Sequence, residues 1–198
     1  MASNSELVDY LVREGRIKSS TVEKAFRNVD RARFIPERRK QEAYRDHAVP
    51  IGHDVTISAP HMVAINTELL EVESGNTVLE IGSGSGYQLA VLAELAEKVV
   101  GVERVEELVE RSRDALEGYE NVEVVHGNGL EAVSGKYDKI LFSCAIDSME
   151  PAKQYLAEDG ILVAPVKKNG SQLMQKFKNG NVETKFRVSF VDYIDEEV

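Results

Sequence analysis

The sequence predicts an α/β doubly wound, mostly parallel sheet, with an antiparallel addition at its C-terminal end and a helical cap at its N-terminal end. Three observations carry this. Between residues 77 and 166, short apolar runs alternate with segments of helical period, the pattern of βα units. A glycine-rich turn, Gly82-Ser83-Gly84-Ser85-Gly86, joins the first apolar run to the first of those helices. Beyond residue 170 the pattern becomes alternation around an Asn-Gly pair, which reads as a hairpin. The expected organisation is one domain over 1–198: a helical cap over 1–47, a loop and helix over 48–74, and a sheet core over 75–198.

In chain order, Leu7, Val8, Tyr10 and Leu11 sit at helical spacing within 3–13. Ser20 and Glu23 have capping-box spacing ahead of Val22, Ala25, Phe26 and Val29, which predicts a second short helix. Pro36 opens a charged helical piece to Tyr44. No strand pattern occurs here, so these residues read as a cap on the sheet. Residues 48–62 hold two prolines and a glycine and read as a loop. Pro60 suits the first turn of the next helix, with Ser58 or Ala59 at its cap. Strands follow over 77–81 and 98–102, with helices over 87–96 and 105–116. The runs 122–125, 139–142 and 161–166 suit buried parallel strands. A helix over 148–156 links the last two, with Pro151 in its first turn. The alternating stretches 172–177 and 183–191 predict an antiparallel pair turned at Asn179-Gly180.

Composition narrows the function. The net charge is −10 and the pI about 5.0, which argues against nucleic acid, whose binding rewards cationic surfaces through counterion release. The run Arg31, Arg33, Arg38, Arg39, Lys40 is the one basic cluster and reads as a solvated helix face. One cysteine, Cys144, excludes an internal disulfide and fits a reducing compartment. It reads as a small buried residue, since no base partner is evident. No signal peptide or membrane-spanning run is present, so the expected setting is a cytoplasmic monomer without a membrane partner. His47, His53, His61 and His126 lack metal-site spacing, and no phosphate loop or nucleophile elbow occurs. Neither a metal nor a hydrolytic triad is expected.

The glycine turn is where chemistry concentrates. A strand-turn-helix unit of this kind presents free N–H groups to a nucleotide-like ligand above the end of the first strand. The dinucleotide fingerprint is G-x-G-x-x-G. Here the third glycine comes one residue early, and Glu80 stands two residues before the first. Glu103 ends the second strand, where an acid accepts hydrogen bonds from ribose hydroxyls; a solvated strand-end glutamate is the alternative. Asn128, between Gly127 and Gly129, follows the third strand, and either pairs with a base edge or forms a plain turn. Glu80-x-Gly82-x-Gly84-x-Gly86 resembles the first motif of class I methyltransferases that use S-adenosylmethionine. A carboxylate suits the amino group at the methionyl end of that cofactor.

Upstream lies Thr56-Ile57-Ser58-Ala59-Pro60-His61-Met62. With it in place, the chain resembles the protein-L-isoaspartate (D-aspartate) O-methyltransferases over roughly residues 5 to 180. Arg33-Phe34-Ile35-Pro36, Tyr44-x-Asp46, Gly127-x-Gly129 and Pro165-Val166 add to the likeness. The resemblance implies a Rossmann-like methyltransferase fold and methyl transfer to isoaspartyl residues of damaged proteins or peptides, which starts their repair. It implies Ser58 as the residue that holds the acceptor carboxylate. It implies cofactor contacts from Ile57, His61, Glu80, Gly82, Ser83, Gly84, Gly86, Glu103, Asn128 and Gly129. A carboxylate is ionised near neutral pH, so the acceptor needs no general base. The chain departs from the family pattern at Asp54-Val55, usually Gly-Gln, at Asn128, usually Asp, and at 143–147, usually small residues. Two other readings therefore stand beside repair: transfer to a different acceptor, and a cofactor-binding relative without turnover.

Overall fold

The computed structural model describes residues 1–194; the last four residues of the expected 75–198 core lie outside them. Helix α1 (Asn4–Arg13) and helix α2 (Ser20–Asn28) bury Leu7, Val8, Leu11, Val22, Ala25 and Phe26. Ser3 caps α1 by accepting the Glu6 N–H. The capping box expected at Ser20 does not form. Ser19 is the cap residue, and its N–H and hydroxyl go to the Glu68 carboxylate, as does the Lys18 N–H. One distant carboxylate taking three donors outweighs the local arrangement.

The basic run is solvated as expected at Arg33, Arg38 and Lys40, but not at Arg31. Arg31 is fully buried, while Arg39 pairs with Glu42 and Lys40 with Glu37. A short 3-10 turn covers Arg31–Phe34, and a second, Glu37–Glu42, replaces the helical piece expected from Pro36 to Tyr44. The loop expected over 48–62 is also revised. It folds as a hairpin of β1 (Val49–Gly52) and β2 (Val55–Ile57) before α3 (Pro60–Leu70). Val49 and Ile51 face inward while Pro50, on an edge, faces solvent. The turn residues His53 and Asp54 have φ of 53° and 56°, the left-handed backbone that tight hairpins favour.

Next come β3 (Thr77–Ile81), α4 (Tyr87–Ala93), β4 (Lys98–Glu103), α5 (Glu106–Ala115) and β5 (Val122–His126). They are followed by β6 (Tyr137–Phe142), the four-residue α6 (Glu150–Lys153), β7 (Leu156–Lys168), β8 (Ser171–Lys178) and β9 (Asn181–Val188). Helices α4 and α6 are shorter than expected. The sheet order is β5-β4-β3-β6-β7-β8-β9. Pairing is parallel from β5 to β7 and antiparallel for β8 and β9. This is the doubly wound, mostly parallel sheet that the alternation predicts. The chain builds outward from β3 to β5, then returns to lay β6 on the other side of β3. That reversal opens a crevice at the carboxyl ends of β3 and β6.

Alternate residues of β3 serve two cores. Val78 joins the cluster that includes Leu7, Phe26 and Leu89, so the cap shares the sheet's core. Leu79 and Ile81 join Val102, Ile140 and Phe142 on the other face. The Asn169-Gly170 and Asn179-Gly180 turns have φ of 50° and 71°, and of 50° and 77°. The last strand ends at Val188, before the expected 191. Gln172 then holds the Phe190 N–H and C=O at 2.6 and 3.0 Å, and the chain crosses back over the end of β6. There Ala145 exchanges backbone bonds with Val191 and Tyr193, at 2.7 and 2.8 Å.

Candidate active site

A cavity of about 390 Å³ occupies the crevice. Its floor is the glycine turn. The Gly82 and Ser83 N–H groups bond the Val102 carbonyl at 2.8 and 3.1 Å, which folds the turn over β4. Gly82 and Gly84 take φ of 80° and 53°, which residues with a Cβ rarely adopt, and both line the cavity with Ser83. Gly86 does not line it. A Cβ there would stand 3.0 Å from Leu116 Cδ1 and 3.2 Å from Ser112 Cβ, so Gly86 lets α4 approach α5.

Two carboxylates flank the turn. Glu80 is 1% exposed, and its Oε1 accepts the Ser143 hydroxyl at 2.6 Å. Burial pushes the Glu80 carboxyl up to about 8; the Ser143 bond opposes this and the nearby Glu103 adds to it. Glu103 accepts the Gly84 N–H at 2.9 Å and the Val105 N–H at 3.0 Å. Asn128 and Gly129 line the wall beyond β5. Gly129 has φ of 48°, and a Cβ on it would lie 2.0 Å from Tyr193 Oη. Gly129→Ala should therefore displace the 191–194 segment and lower Tm by several degrees. An unchanged melting curve with the ligand-binding cavity intact would contradict this packing.

The hairpin β1–β2 forms the opposite wall. Ile57 and Ser58 line the cavity, and the Ser58 carbonyl accepts from Arg31 at 3.0 Å. The hairpin is held down by Arg111, which donates to the Ile51 carbonyl at 2.8 Å, and by the His53–Glu107 pair at 2.8 Å. His61 is not on the wall. Its N–H and Nδ1 both meet Asp46 Oδ1 at 2.9 Å. Asp46 thereby supplies the capping oxygen that Ala59 lacks at the start of α3.

Three parts of the site have no role assigned by the sequence reasoning. Ser143 orients Glu80; its place one residue beyond β6, where its N–H bonds the Ile81 carbonyl of β3, was the available signal. Tyr87 and Gln88 line the cavity from the first turn of α4. Val191, Asp192, Tyr193 and Ile194 close one side, and nothing in their sequence signals it. Burial pushes the Cys144 thiol up to about 12, so it supplies no thiolate nucleophile. Among the described residues no cluster of three His, Cys, Asp or Glu side chains is placed to hold a metal ion, and no helix is long and apolar enough to cross a membrane.

The cavity's polar atoms say what fits it. Glu80 Oε2, Ser83 Oγ, Tyr87 Oη, Gln88 Oε1 and Asn128 Oδ1 are buried without a hydrogen-bond partner in the protein, and all five residues line this cavity. Buried polar groups are rarely left so; the Tyr87 ring, however, packs on Phe26, Phe34 and Arg31 on the cap side. The ionisable lining is mostly acidic: Asp54, Glu80, Glu103 and Asp192 against Arg104 and His53. A cationic ligand rich in amino and hydroxyl groups suits it. S-adenosylmethionine is such a ligand.

Comparison with known proteins agrees. The family model described as protein-L-isoaspartate (D-aspartate) O-methyltransferase matches residues 2–197. The protein-L-isoaspartate O-methyltransferase of Ignicoccus hospitalis is 42% identical, with 97% of each chain covered. That of Methanococcoides burtonii is 45% identical over 81% of this chain and 84% of its own. A solved Plasmodium falciparum structure, described as a protein-L-isoaspartate O-methyltransferase in complex with S-adenosyl-L-homocysteine, superposes with a TM-score of 0.89. It is 28% identical, and 99% of this chain and 100% of that one are covered. Glycine turn, flanking carboxylates, hairpin wall and whole-chain match together place this chain in the protein-L-isoaspartate (D-aspartate) O-methyltransferase family.

Proposed function

We propose that the protein transfers the methyl group of S-adenosylmethionine to the α-carboxylate of L-isoaspartyl residues in damaged proteins, which opens their repair. The observation that carries this reading is the glycine turn flanked by Glu80 and Glu103 in an acidic cavity that also holds Ser58. The bound cofactor supplies a methyl group on a positively charged sulfur, so the acceptor need only be an oriented nucleophile.

The residues divide that work. Glu80, steadied by Ser143, takes the amino group of the cofactor's methionyl end. Glu103 fixes the glycine turn through Gly84 and keeps a lone pair on each oxygen for the ribose hydroxyls. Asn128 Oδ1 accepts from the adenine amino group. Ser58 holds the acceptor carboxylate by its hydroxyl and backbone N–H, in line with the carbon it attacks. The β1–β2 hairpin and the 191–194 segment exclude water, which matters because opposite charges are neutralised as the methyl moves. No proton is transferred, because the acceptor carboxylate is already ionised near neutral pH.

Asp54 stands where the family usually has glycine, in a backbone position that tolerates the change. Its φ of 56° is a left-handed position, and aspartate tolerates that region better than most residues with a side chain. Its carboxylate on the cavity wall favours a second reading, transfer to a different acceptor, because like charges repel an anionic substrate. The assay that tests the function also separates the two. Labelled S-adenosylmethionine is offered with matched peptides carrying L-isoaspartate or aspartate. Methylation of the isoaspartyl peptide alone is expected; transfer to neither peptide, with cofactor bound, would overturn the repair assignment. Ser58→Ala should lower kcat about tenfold, the loss of one hydrogen bond to an ion, with S-adenosylhomocysteine affinity unchanged. A fall in affinity without a fall in rate would remove Ser58 from this role. We further read the protein as a single domain acting as a cytoplasmic monomer, without nucleic-acid or membrane partners. Its acidic charge and its one buried thiol support that setting.

A further inference from the structure

We infer that Arg31 is a positioning residue for methyl acceptance, fixing the Ser58 backbone from behind the cavity wall; this rests on the role proposed for Ser58. Arg31 is fully buried, yet its guanidinium bonds no carboxylate. Its Nη1 donates to the Ala43 carbonyl at 2.7 Å and reaches the Arg45 carbonyl at 3.5 Å. Its Nη2 donates to the His47 carbonyl at 3.2 Å and the Ser58 carbonyl at 3.0 Å. Burial lowers its pKa only to about 10, so the cation persists at neutral pH.

A charge held this way is a poor source of stability, because well-packed apolar side chains of similar volume do as well or better. What it provides is geometry. His47 stands two residues before β1 and Ser58 one residue after β2. One nitrogen therefore ties together both ends of the hairpin that forms the acceptor wall. The guanidinium carbon also lies 5.9 Å from the ring centroid of Tyr87, the first residue of α4 after the glycine turn. The same cation thus links the acceptor wall to the ring of the first residue of α4. In-line transfer depends on holding the carboxylate near attack distance, where a displacement of about 1 Å costs roughly 100-fold in rate. A planar fork can bridge fixed carbonyls; a lysine ammonium cannot span them.

The test is a double-mutant cycle of R31K and S58A, read as kcat, KM and S-adenosylhomocysteine Kd with an isoaspartyl peptide. R31K should lower kcat about tenfold or more and leave Kd within about twofold, because the glycine turn and its carboxylates are untouched. In the S58A background R31K should cost little further. The control is Leu11→Ala, a buried change in α1 that lowers Tm without touching either wall. Its kcat should stay near that of the parent. Additive losses in the cycle, a normal kcat for R31K, or an equal kcat loss for Leu11→Ala would overturn the inference. Full activity of S58A alone would instead overturn the role of Ser58, and this inference with it. Should R31K not fold, an ester in place of the Ser58–Ala59 amide weakens the same carbonyl while Arg31 stays. It should reproduce the kcat loss, and an unchanged kcat would overturn the inference.

Discussion

Glu103→Ala should weaken S-adenosylhomocysteine binding about 100-fold, measured by calorimetric titration. The carboxylate is 5% exposed and already accepts the Gly84 and Val105 N–H groups, at 2.9 and 3.0 Å. Each oxygen keeps capacity for a ribose hydroxyl. A hydrogen bond to a charged group contributes about 1.5–3 kcal/mol. Alanine removes the ribose contacts and leaves the Gly84 N–H without its acceptor, so the glycine turn loosens as well. Together these come to about 3 kcal/mol, or roughly two decades in affinity. Glu103→Gln, which keeps one acceptor oxygen, should fall between. A change of less than about threefold for the alanine variant would remove Glu103 from the ribose.

Cofactor affinity should also fall steeply as the medium is acidified from pH 8 to pH 6. Burial holds the Glu80 carboxyl at about 8 in the ligand-free protein, well above its ordinary value of 4.5. The sign follows from linkage. A carboxyl whose folded pKa is raised contributes stability that is fully present below the ordinary carboxylate range. That contribution is lost as pH rises through about 8. The empty site thus favours protonated Glu80, whereas an ammonium group of the cofactor requires the ionised form. Below pH 8 a proton must leave on binding, so the dissociation constant should rise about tenfold per unit of acidification. In Glu80→Gln the slope should vanish and the affinity should be low throughout. A dissociation constant that stays flat from pH 6 to pH 8 in the parent protein would show that Glu80 does not face the ammonium.

What was legible in the chain follows from the range of the forces involved. The strands over 77–81 and 98–103 are mostly apolar runs bounded by turn residues, and a parallel strand buried on both faces leaves that mark locally; β5, expected to be buried, lies at the sheet edge with only Val124 buried. Glu80 and Glu103 could be read because strand-turn-helix geometry fixes where a residue at each strand end points. The hairpin at 49–57 was hidden by Pro50 and by a turn that uses His53 and Asp54 instead of asparagine and glycine. The capping of α2 was misread because its acceptor, Glu68, is 49 residues away from Ser19. His61 reads as part of the pocket in its motif, yet its partner is Asp46, fifteen residues upstream. The 191–194 wall depends on Ala145 and Gln172, and no local pattern announces such a contact.

The two hairpins that complete the sheet turn on exposed Asn169-Gly170 and Asn179-Gly180. Left-handed geometry selects that dipeptide. Its glycine nitrogen, unhindered by a side chain, is also the one that most readily attacks the asparagine amide and rearranges the backbone with age. The shelf life of the protein is thus written at its rim and not in its core. In stored samples, peptide mass spectrometry should find conversion at Asn169 and Asn179 well before the buried Asn66. The residues that shape the scaffold of a repair catalyst are the ones that will record how long it has existed.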